Sequence, residues 1–148
     1  MTSFNWVNDR LATGGRIDSQ VDMDAMLTLG ITHIVNCQAE FDDAQFLQGR
    51  HCTYLWNGCN DDTLPKPPEL FKPTIEFVLK ALTMPYTKIY IHCHSGSCRG
   101  PSAMLAVLRA LGWADQDAFD MIKKVRPQAD VNYRQSVNDA VKVLGYDS

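Results

Sequence analysis

Apolar and polar positions along the chain follow two different periods, and these periods predict the secondary structure. Short, largely apolar runs occur at residues 31–37, 53–56 and 88–93, and polar or turn-forming residues bound them. Such runs are typical of β-strands. A weaker run from Arg10 to Thr13, just before Gly14 and Gly15, predicts an edge strand.

Between the predicted strands and over most of the C-terminal third of the chain, apolar residues recur at the spacing of an α-helix. Ser19 and Asp22 are arranged as a capping box, which predicts a helix that ends at Gly30. Four further helices are predicted where apolar residues recur at helical spacing or form a continuous buried run. They cover residues 70–82, residues 101–111, the segment from Phe119 to Val125, and a segment capped by Asn132 and Gln135 that ends at Gly145.

The order of these elements indicates the fold class. Strands first alternate with helices, and helices then close the chain. This order favours an α/β fold, in which a central sheet is flanked by helices and followed by a C-terminal helical cluster. The 148 residues suit one compact domain, and no repeat, linker or low-complexity segment divides them. We therefore expect a single domain over residues 1–148.

Composition and charge exclude several classes of partner. The net charge of -3 provides no basic field for nucleic acid or for an anionic membrane. The longest apolar stretch, Ala103 to Leu108, is too short to span a bilayer, and the first ten residues lack the features of a signal peptide. Five cysteines without a CxxC pair suit a reducing compartment, so the chain is expected to be cytoplasmic.

The sequence IHCHSGSCRGPS, residues 91–102, carries the candidate chemistry. It joins a predicted strand to a predicted buried helix, a junction at which α/β folds often bind anions. Gly96 allows the backbone to turn its N–H groups inward, and Arg99 adds a planar fork that matches two phosphate oxygens. These groups favour thiolate over thiol at Cys93, so its pKa is expected to lie below the ordinary value of about 8.5. A thiolate that faces a bound phosphate is an in-line nucleophile.

HCHSGSCR resembles the HCxxGxxR signature of the cysteine-dependent protein tyrosine phosphatases, and most closely their small dual-specificity branch. The similarity runs from about Asp9 to Leu144. It includes GITHIVN, the segment NDDTLPKPPELFKPTIEFV and the turn RPQADVN, in the order typical of the family. The resemblance implies the protein-tyrosine-phosphatase-like fold and a substrate that is a phosphorylated protein or a small phosphomonoester.

The resemblance also implies roles for the residues of the loop. Cys93 would form a phosphocysteine intermediate, and His92 would orient the loop without touching the substrate. No metal and no cofactor are implied. Arg99 and the backbone N–H groups of the loop would hold the phosphoryl oxygens, and these groups belong to His94, Ser95, Gly96, Ser97, Cys98 and Arg99.

Such a mechanism needs a general acid, because a serine or tyrosine oxygen leaves poorly unless it is protonated. The family takes this acid from an aspartate about thirty residues before the cysteine. Asp61 and Asp62 lie 32 and 31 residues before Cys93. Asp61 keeps the Asn-Asp pairing and the spacing to Phe71 that resemble the family, so it is predicted to be the acid, with Asp62 as the alternative.

Two positions in the loop depart from the most common family pattern. Gly100 stands where most members carry a serine or threonine whose hydroxyl stabilises the departing thiolate. Breakdown of the phosphoenzyme is therefore expected to be slow unless Ser95, Ser97 or Ser102 supplies a hydroxyl. Cys98 lies five positions after Cys93, as in the low-molecular-weight tyrosine phosphatases. It is a candidate to trap oxidised Cys93 as a reversible disulfide.

Other functions fit the residues of this sequence less well than a phosphatase does. The histidines and cysteines match no common zinc spacing, so a metal site is not predicted. A rhodanese-like sulfurtransferase also uses a loop cysteine, but the signature spacing and the upstream aspartates oppose that alternative. A pseudophosphatase would bind phosphoproteins without hydrolysing them. The presence of Cys93, Arg99 and Asp61 argues against this alternative, whereas Gly100 is compatible with it. Phosphoinositide or sugar phosphate substrates are alternatives to phosphoprotein, although the loop offers no lysine. The sequence leaves the oligomeric state open.

Overall fold

The computed structural model describes residues 2–147, which are built around a five-stranded sheet with strand order β1-β2-β5-β3-β4. All neighbouring strands are parallel except β1 and β2, which are antiparallel. The strands are β1 (Phe4–Trp6), β2 (Leu11–Gly14), β3 (His33–Gln38), β4 (Thr53–Cys59) and β5 (Ile89–His92).

Helices cover both faces of this sheet, as the sequence predicted. Ile34 and Tyr90 point to one face, where they pack with Met23 and Met26 of the first helix. Val35 and the other apolar residues of the central strands point to the opposite face, against the later helices. The helices are α1 (Gln20–Thr28), α2 (Pro68–Leu82), α3 (Arg99–Ala110), α4 (Asp115–Val125) and α5 (Arg134–Val143), and a short 3₁₀ helix spans Asp43–Phe46.

The α/β class with flanking helices is thus confirmed, and three of the predicted strands lie where the apolar runs indicated. Between residues 2 and 147, no helix combines the length and the apolar character needed to cross a membrane. The capping prediction for α1 is also confirmed, because the Ser19 hydroxyl accepts a hydrogen bond from the backbone N–H of Asp22.

The edge-strand prediction for Arg10 to Thr13 was wrong. β2 is an inner strand, because β1 pairs with it on one side and β5 on the other. Its four residues are all buried. Sequence reasoning missed β1, since three half-buried residues are too few to display a period.

Two helix starts also differ from prediction. α3 begins at Arg99, two residues before Pro101, so the end of the signature lies in the first helical turn. α5 begins at Arg134 after Tyr133, with no side-chain cap, so the cap predicted from Asn132 and Gln135 was wrong.

The sheet places the functional segments at one edge. Gly14 and Asn36, near the carboxyl ends of β2 and β3, both pair in register with His92, the last residue of β5. Because these strands are parallel, the segments that follow them leave the sheet at the same edge. The chain before α1, the 3₁₀ segment and the signature loop therefore meet there.

Candidate active site

Residues 93–99, here called the Cys93 loop, connect β5 to α3. The Cys93 side chain is only 2% exposed, and the backbone N–H of Cys93 donates to the Gly14 carbonyl oxygen over 3.4 Å. The nucleophile predicted from sequence therefore lies at the floor of the loop, where the strand ends. The first turn of α3 follows directly, so the positive end of that helix faces the loop.

Four successive carbonyl oxygens of the Cys93 loop accept hydrogen bonds from groups outside the loop. With the carbonyls held outward, the N–H groups of the same peptides are left to line the inside of the loop. The four pairs are His94 with the Arg16 N–H (2.9 Å), Ser95 with Arg126 Nη2 (3.0 Å), Gly96 with Arg126 Nε (2.7 Å) and Ser97 with the Asp130 N–H (2.5 Å).

Arg126 is the side chain that holds the centre of this loop. It is 1% exposed, and its third nitrogen donates to Asn5 Oδ1 at 2.8 Å. Gly96 has φ +72, and a Cβ atom there would lie 2.5 Å from Arg126 Nη2 and from the Gly14 carbonyl carbon. Glycine is therefore required both for the left-handed backbone and for the close approach of Arg126.

Arg99 is held from one side by a residue that the sequence analysis did not single out. Its Nη1 and Nη2 donate to the two carboxylate oxygens of Glu40 at 2.7 and 2.9 Å, and Nη1 also donates to the Cys59 carbonyl at 2.9 Å. These hydrogen bonds to Glu40 raise the pKa of Arg99 above its usual value. The Nε edge makes no hydrogen bond to residues 2–147, which leaves it available for an anion.

The two candidate acids lie on an exposed segment after β4, residues 60–66, here called the acid loop. Asp62 accepts hydrogen bonds from Lys66 Nζ at 2.6 Å and from the Leu64 N–H at 3.0 Å. The hydrogen bond from Lys66 lowers the pKa of the Asp62 carboxyl. The carboxylate of Asp62 is thus already engaged inside the acid loop.

The charge of Asp61 acts on the Cys93 loop instead. Burial raises the pKa of the Cys98 thiol to about 11, and the Asp61 carboxylate contributes in the same direction. The hydrogen bonds to Glu40 are the main cause of the raised pKa of Arg99, and the charge of Asp61 makes a smaller contribution in the same direction. Of the two aspartates, Asp61 is the one that contributes to the raised pKa values of two residues of the Cys93 loop, Cys98 and Arg99.

Tyr133 fixes the acid loop to the start of α5. Its hydroxyl oxygen accepts from the Thr63 N–H at 3.0 Å and donates to the Asn60 carbonyl at 3.4 Å. The two contacts flank Asp61 and Asp62 in sequence. Thr63 has φ +60, which is uncommon for a β-branched residue, so Tyr133 helps to hold a strained turn.

Gly100 lies in the first turn of α3, against the end of β5. A Cβ atom at this position would be 3.3 Å from the backbone nitrogen of Cys93 and from the Cα of His92. Such contacts are tighter than ordinary packing, so the glycine allows the helix to approach the nucleophile closely. Glycine at this position thus avoids a tight contact between the first turn of α3 and the end of β5.

The remaining predicted residues are buried beside the loop. His92 is fully buried, and its Nε2 lies 2.5 Å from Asp43 Oδ2. Ser102 is 1% exposed, and its hydroxyl has no hydrogen-bond partner among residues 2–147. Together with Cys59, Arg99 and Tyr133 it lines a small cavity behind the acid loop.

Four residues that contact this site were not predicted from the sequence, although the position of each in the chain offered a signal. Glu40 and Asp43 follow a predicted strand whose carboxyl end lies at the same edge as that of the Cys93 strand, a placement that could have identified them. Arg126 lies in the quoted turn RPQADVN without an assigned role, and Tyr133 directly follows it.

Comparison with known proteins agrees with this geometry. The fold is that of the protein-tyrosine-phosphatase type, as solved structures of this type show. Residues 16–140 match the family described as the dual specificity phosphatase catalytic domain. The chain belongs to that family, within its small atypical branch, which confirms the resemblance seen in the sequence.

Individual relatives are distant in sequence. Mouse dual specificity protein phosphatase 13B is 27% identical over 135 residues, which are 88% of this chain and 67% of the relative. The structure of PTPMT1 in complex with PI(5)P has a TM-score of 0.83 at 14% identity and covers 96% of both chains. The human tyrosine phosphatase-like serine/threonine/tyrosine-interacting protein has a TM-score of 0.82 at 21% identity, with 96% and 97% coverage.

Proposed function

We propose that this chain hydrolyses phosphomonoesters through a phosphocysteine intermediate at Cys93. One observation carries the proposal. Four consecutive carbonyls of the Cys93 loop are held outward, which leaves the N–H groups of the same peptides to line the inside of the loop that begins at Cys93. Such a ring of donors suits a phosphoryl dianion, and it stabilises the charge that spreads over the phosphoryl oxygens in the transition state.

The reaction has two steps. The Cys93 thiolate forms a bond to phosphorus while the bond from phosphorus to the ester oxygen breaks, and that oxygen takes a proton from Asp61. The resulting Asp61 carboxylate then accepts a proton from a water molecule, whose oxygen attacks phosphorus. The sulfur–phosphorus bond breaks, which regenerates the thiolate and releases inorganic phosphate.

Asp61 rather than Asp62 is proposed as the acid because Asp62 already pairs with Lys66. The Lys66 side chain is 9% exposed, so this pair is partly shielded from solvent. A carboxylate that is stabilised by a lysine is a poor proton donor. The ion pair with Lys66 therefore supports a structural role for Asp62 within the acid loop and the role of general acid for Asp61.

We propose that the substrates are proteins that carry phosphotyrosine, phosphoserine or phosphothreonine. The Cys93 loop contains no lysine that could bind additional phosphates. The variable positions of its signature are occupied by His94, Ser95, Ser97 and Cys98. PTPMT1, which shares the fold, was solved with PI(5)P, so phosphoinositides and sugar phosphates belong in the same substrate panel. All five cysteines are free thiols, which supports the proposed cytoplasmic location.

The test is phosphate release from p-nitrophenyl phosphate, phosphopeptides and a phosphoinositide, measured with EDTA present. Cys93→Ser is expected to abolish release from every substrate. Asp61→Asn is expected to slow phosphoserine peptide hydrolysis by about a hundredfold or more, the usual contribution of a general acid. Asp62→Asn, next to it, is the matched control and is expected to stay near wild type.

The alternatives predict different results. Wild type that binds phosphopeptide without turnover would indicate a pseudophosphatase. Persulfide formation with thiosulfate would indicate a sulfurtransferase. Full activity in Cys93→Ser would overturn the phosphocysteine mechanism, and a large effect of Asp62→Asn without one from Asp61→Asn would exchange the roles of the two aspartates.

A further inference from the structure

A fully buried pair of side chains includes His92, the residue directly before the proposed nucleophile. His92, the residue before Cys93, and Asp43, the first residue of the 3₁₀ helix, are both 0% exposed. His92 Nε2 is 2.5 Å from Asp43 Oδ2. The other oxygen, Asp43 Oδ1, is buried and has no hydrogen-bond partner among residues 2–147. Among residues 2–147, His92 is therefore the one hydrogen-bonding partner of the Asp43 carboxyl group.

Both ring nitrogens of His92 face acceptors. Nδ1 lies 3.1 Å from the carbonyl oxygen of Cys93, which can only accept a hydrogen bond, and Nε2 faces the carboxylate. A neutral imidazole has one donor and one acceptor, so it cannot satisfy both contacts. With the Asp43 carboxyl ionised, the two contacts together require a proton on each nitrogen, which makes the ring an imidazolium cation. A buried carboxylate with a single partner also strongly favours a cationic partner.

The surrounding contacts fix Asp43 in this position. Its backbone N–H donates to the hydroxyl oxygen of Tyr54 at 2.9 Å, and that hydroxyl donates to Asp42 at 2.8 Å. The His92 ring stacks on Tyr90, with 5.3 Å between the ring centroids and 14° between the planes. The pair is thus held by β4, β5 and the 3₁₀ helix together.

We propose that Asp43 is a positioning residue that holds His92 as an imidazolium next to Cys93 and thereby keeps the nucleophile ionised. The proposal rests on the function assigned to Cys93 above. The structure shows two pairs of an acidic and a basic side chain, Asp43 with His92 and Arg99 with Glu40. His92 and Arg99 lie at the two ends of the segment that carries Cys93.

Other ionisable groups face this pair, but none of them donates to or accepts from the His92 ring within residues 2–147. Cys52 and Tyr54 feel the charge of Asp43, and burial is the main reason that the pKa of each is raised. On the far side of the ring, the charges of Arg126 and Asp22 act on the hydroxyl of Tyr90. The hydrogen bond to Asp43 therefore distinguishes that residue from its charged neighbours.

The test compares Asp43→Asn with Asp42→Asn. Asparagine keeps the size of the side chain and removes its charge, and Asp42 is the neighbouring carboxylate, which makes no contact with His92. The readout is the rate of Cys93 alkylation by iodoacetate from pH 4 to 9, followed by mass spectrometry of the peptide that contains Cys93. At pH 6 the rate in Asp43→Asn is expected to fall about tenfold, as for the loss of one charge-assisted hydrogen bond.

The same variant is expected to approach the wild-type alkylation rate at pH 9, where the thiol ionises without help. Its kcat/KM should show the same displacement of the acidic limb, and Asp42→Asn should follow wild type. Superimposable pH profiles of Asp43→Asn and wild type would overturn the proposal. An equal loss at every pH would mean that Asp43 is merely structural, and it would overturn the proposal as well.

A measurement on the wild-type protein covers the case in which Asp43→Asn does not fold. In protein labelled with ¹⁵N-histidine, the ring signals missing from His92→Gln belong to His92. At pH 7 they are expected to report two protonated nitrogens. A neutral ring would overturn the proposal. This measurement does not depend on turnover, so its failure is distinguishable from failure of the phosphocysteine mechanism, which Cys93→Ser tests.

Discussion

Glu40 and Arg99 form a bidentate ion pair, with hydrogen bonds of 2.7 and 2.9 Å between the two carboxylate oxygens and the two terminal guanidinium nitrogens. The Arg99 side chain is 2% exposed, whereas that of Glu40 is 49% exposed. A flexible arginine is thereby fixed in one rotamer from the solvent side. If the proposed phosphoryl group binds at the Nε edge, Arg99 therefore loses little further side-chain entropy.

Glu40→Gln should therefore lower kcat/KM for phosphopeptides. A glutamine can keep one neutral hydrogen bond but not the charged fork, and a decrease of about tenfold is expected. Steady-state kinetics test this expectation, with the exposed Glu69→Gln as a control of equal chemistry. Equal kcat/KM in the two variants would show that Arg99 does not need Glu40.

The same ion pair predicts how stability depends on pH. Hydrogen bonds from Arg99 lower the pKa of the Glu40 carboxyl from 4.5 to about 2. Because the folded-state pKa is the lower one, the stabilisation is present above about pH 4.5 and is lost as the pH falls towards 2. The difference in melting temperature between wild type and Glu40→Gln should accordingly shrink between pH 5 and pH 3. A constant difference over this range would contradict the assignment.

Tyr133→Phe should slow catalysis where the leaving group needs a proton. The change removes the hydrogen bonds to Thr63 and Asn60, and it frees the acid loop that carries Asp61. We expect kcat for phosphoserine peptides to fall up to about tenfold, the effect of one or two hydrogen bonds. p-Nitrophenyl phosphate, whose leaving group is good, should be affected less, and Tyr86→Phe, at a 90% exposed tyrosine, is the control.

Gly100→Ser should not restore the hydroxyl that most of the family carries at this position. The new Cβ would press on the backbone of His92 and Cys93 at 3.3 Å. Overpacking of this kind destabilises by about 1–3 kcal/mol. Chemical denaturation measures that loss, and Gly100→Ala separates the effect of the Cβ from that of the hydroxyl. A stable Gly100→Ser with faster turnover than both wild type and Gly100→Ala would refute the steric explanation.

Cys98 is predicted to protect Cys93 from irreversible oxidation. Burial raises the pKa of its thiol to about 11, so at neutral pH Cys98 is almost entirely a thiol, which peroxide oxidises slowly. Activity lost after brief peroxide treatment should return with dithiothreitol in wild type and return less in Cys98→Ser. Wild-type inactivation that dithiothreitol fails to reverse would exclude this role.

Local patterns accounted for the class of fold and for the reacting residues. Apolar runs marked β3, β4 and β5, and the signature spacing marked Cys93 and Arg99, because periodicity and turn chemistry act over a few residues. The short elements were not predicted for the same reason. The three residues of β1 and the four residues of the 3₁₀ helix are too few to show a hydrophobic period.

Only the tertiary structure decided which side chains contact the Cys93 loop and the acid loop. Glu40 meets Arg99 across 59 positions of the chain, Asp43 meets His92 across 49, and Arg126 meets Gly96 across 30. Tyr133 reaches Thr63 across 70 positions. A charged or aromatic residue in a loop has no periodic signature, so its partner is set by how parallel strands and packed helices bring distant segments to one edge of the sheet. The sequence alone therefore predicted the candidate nucleophile and its loop, and the packing of the sheet determined the groups that contact them.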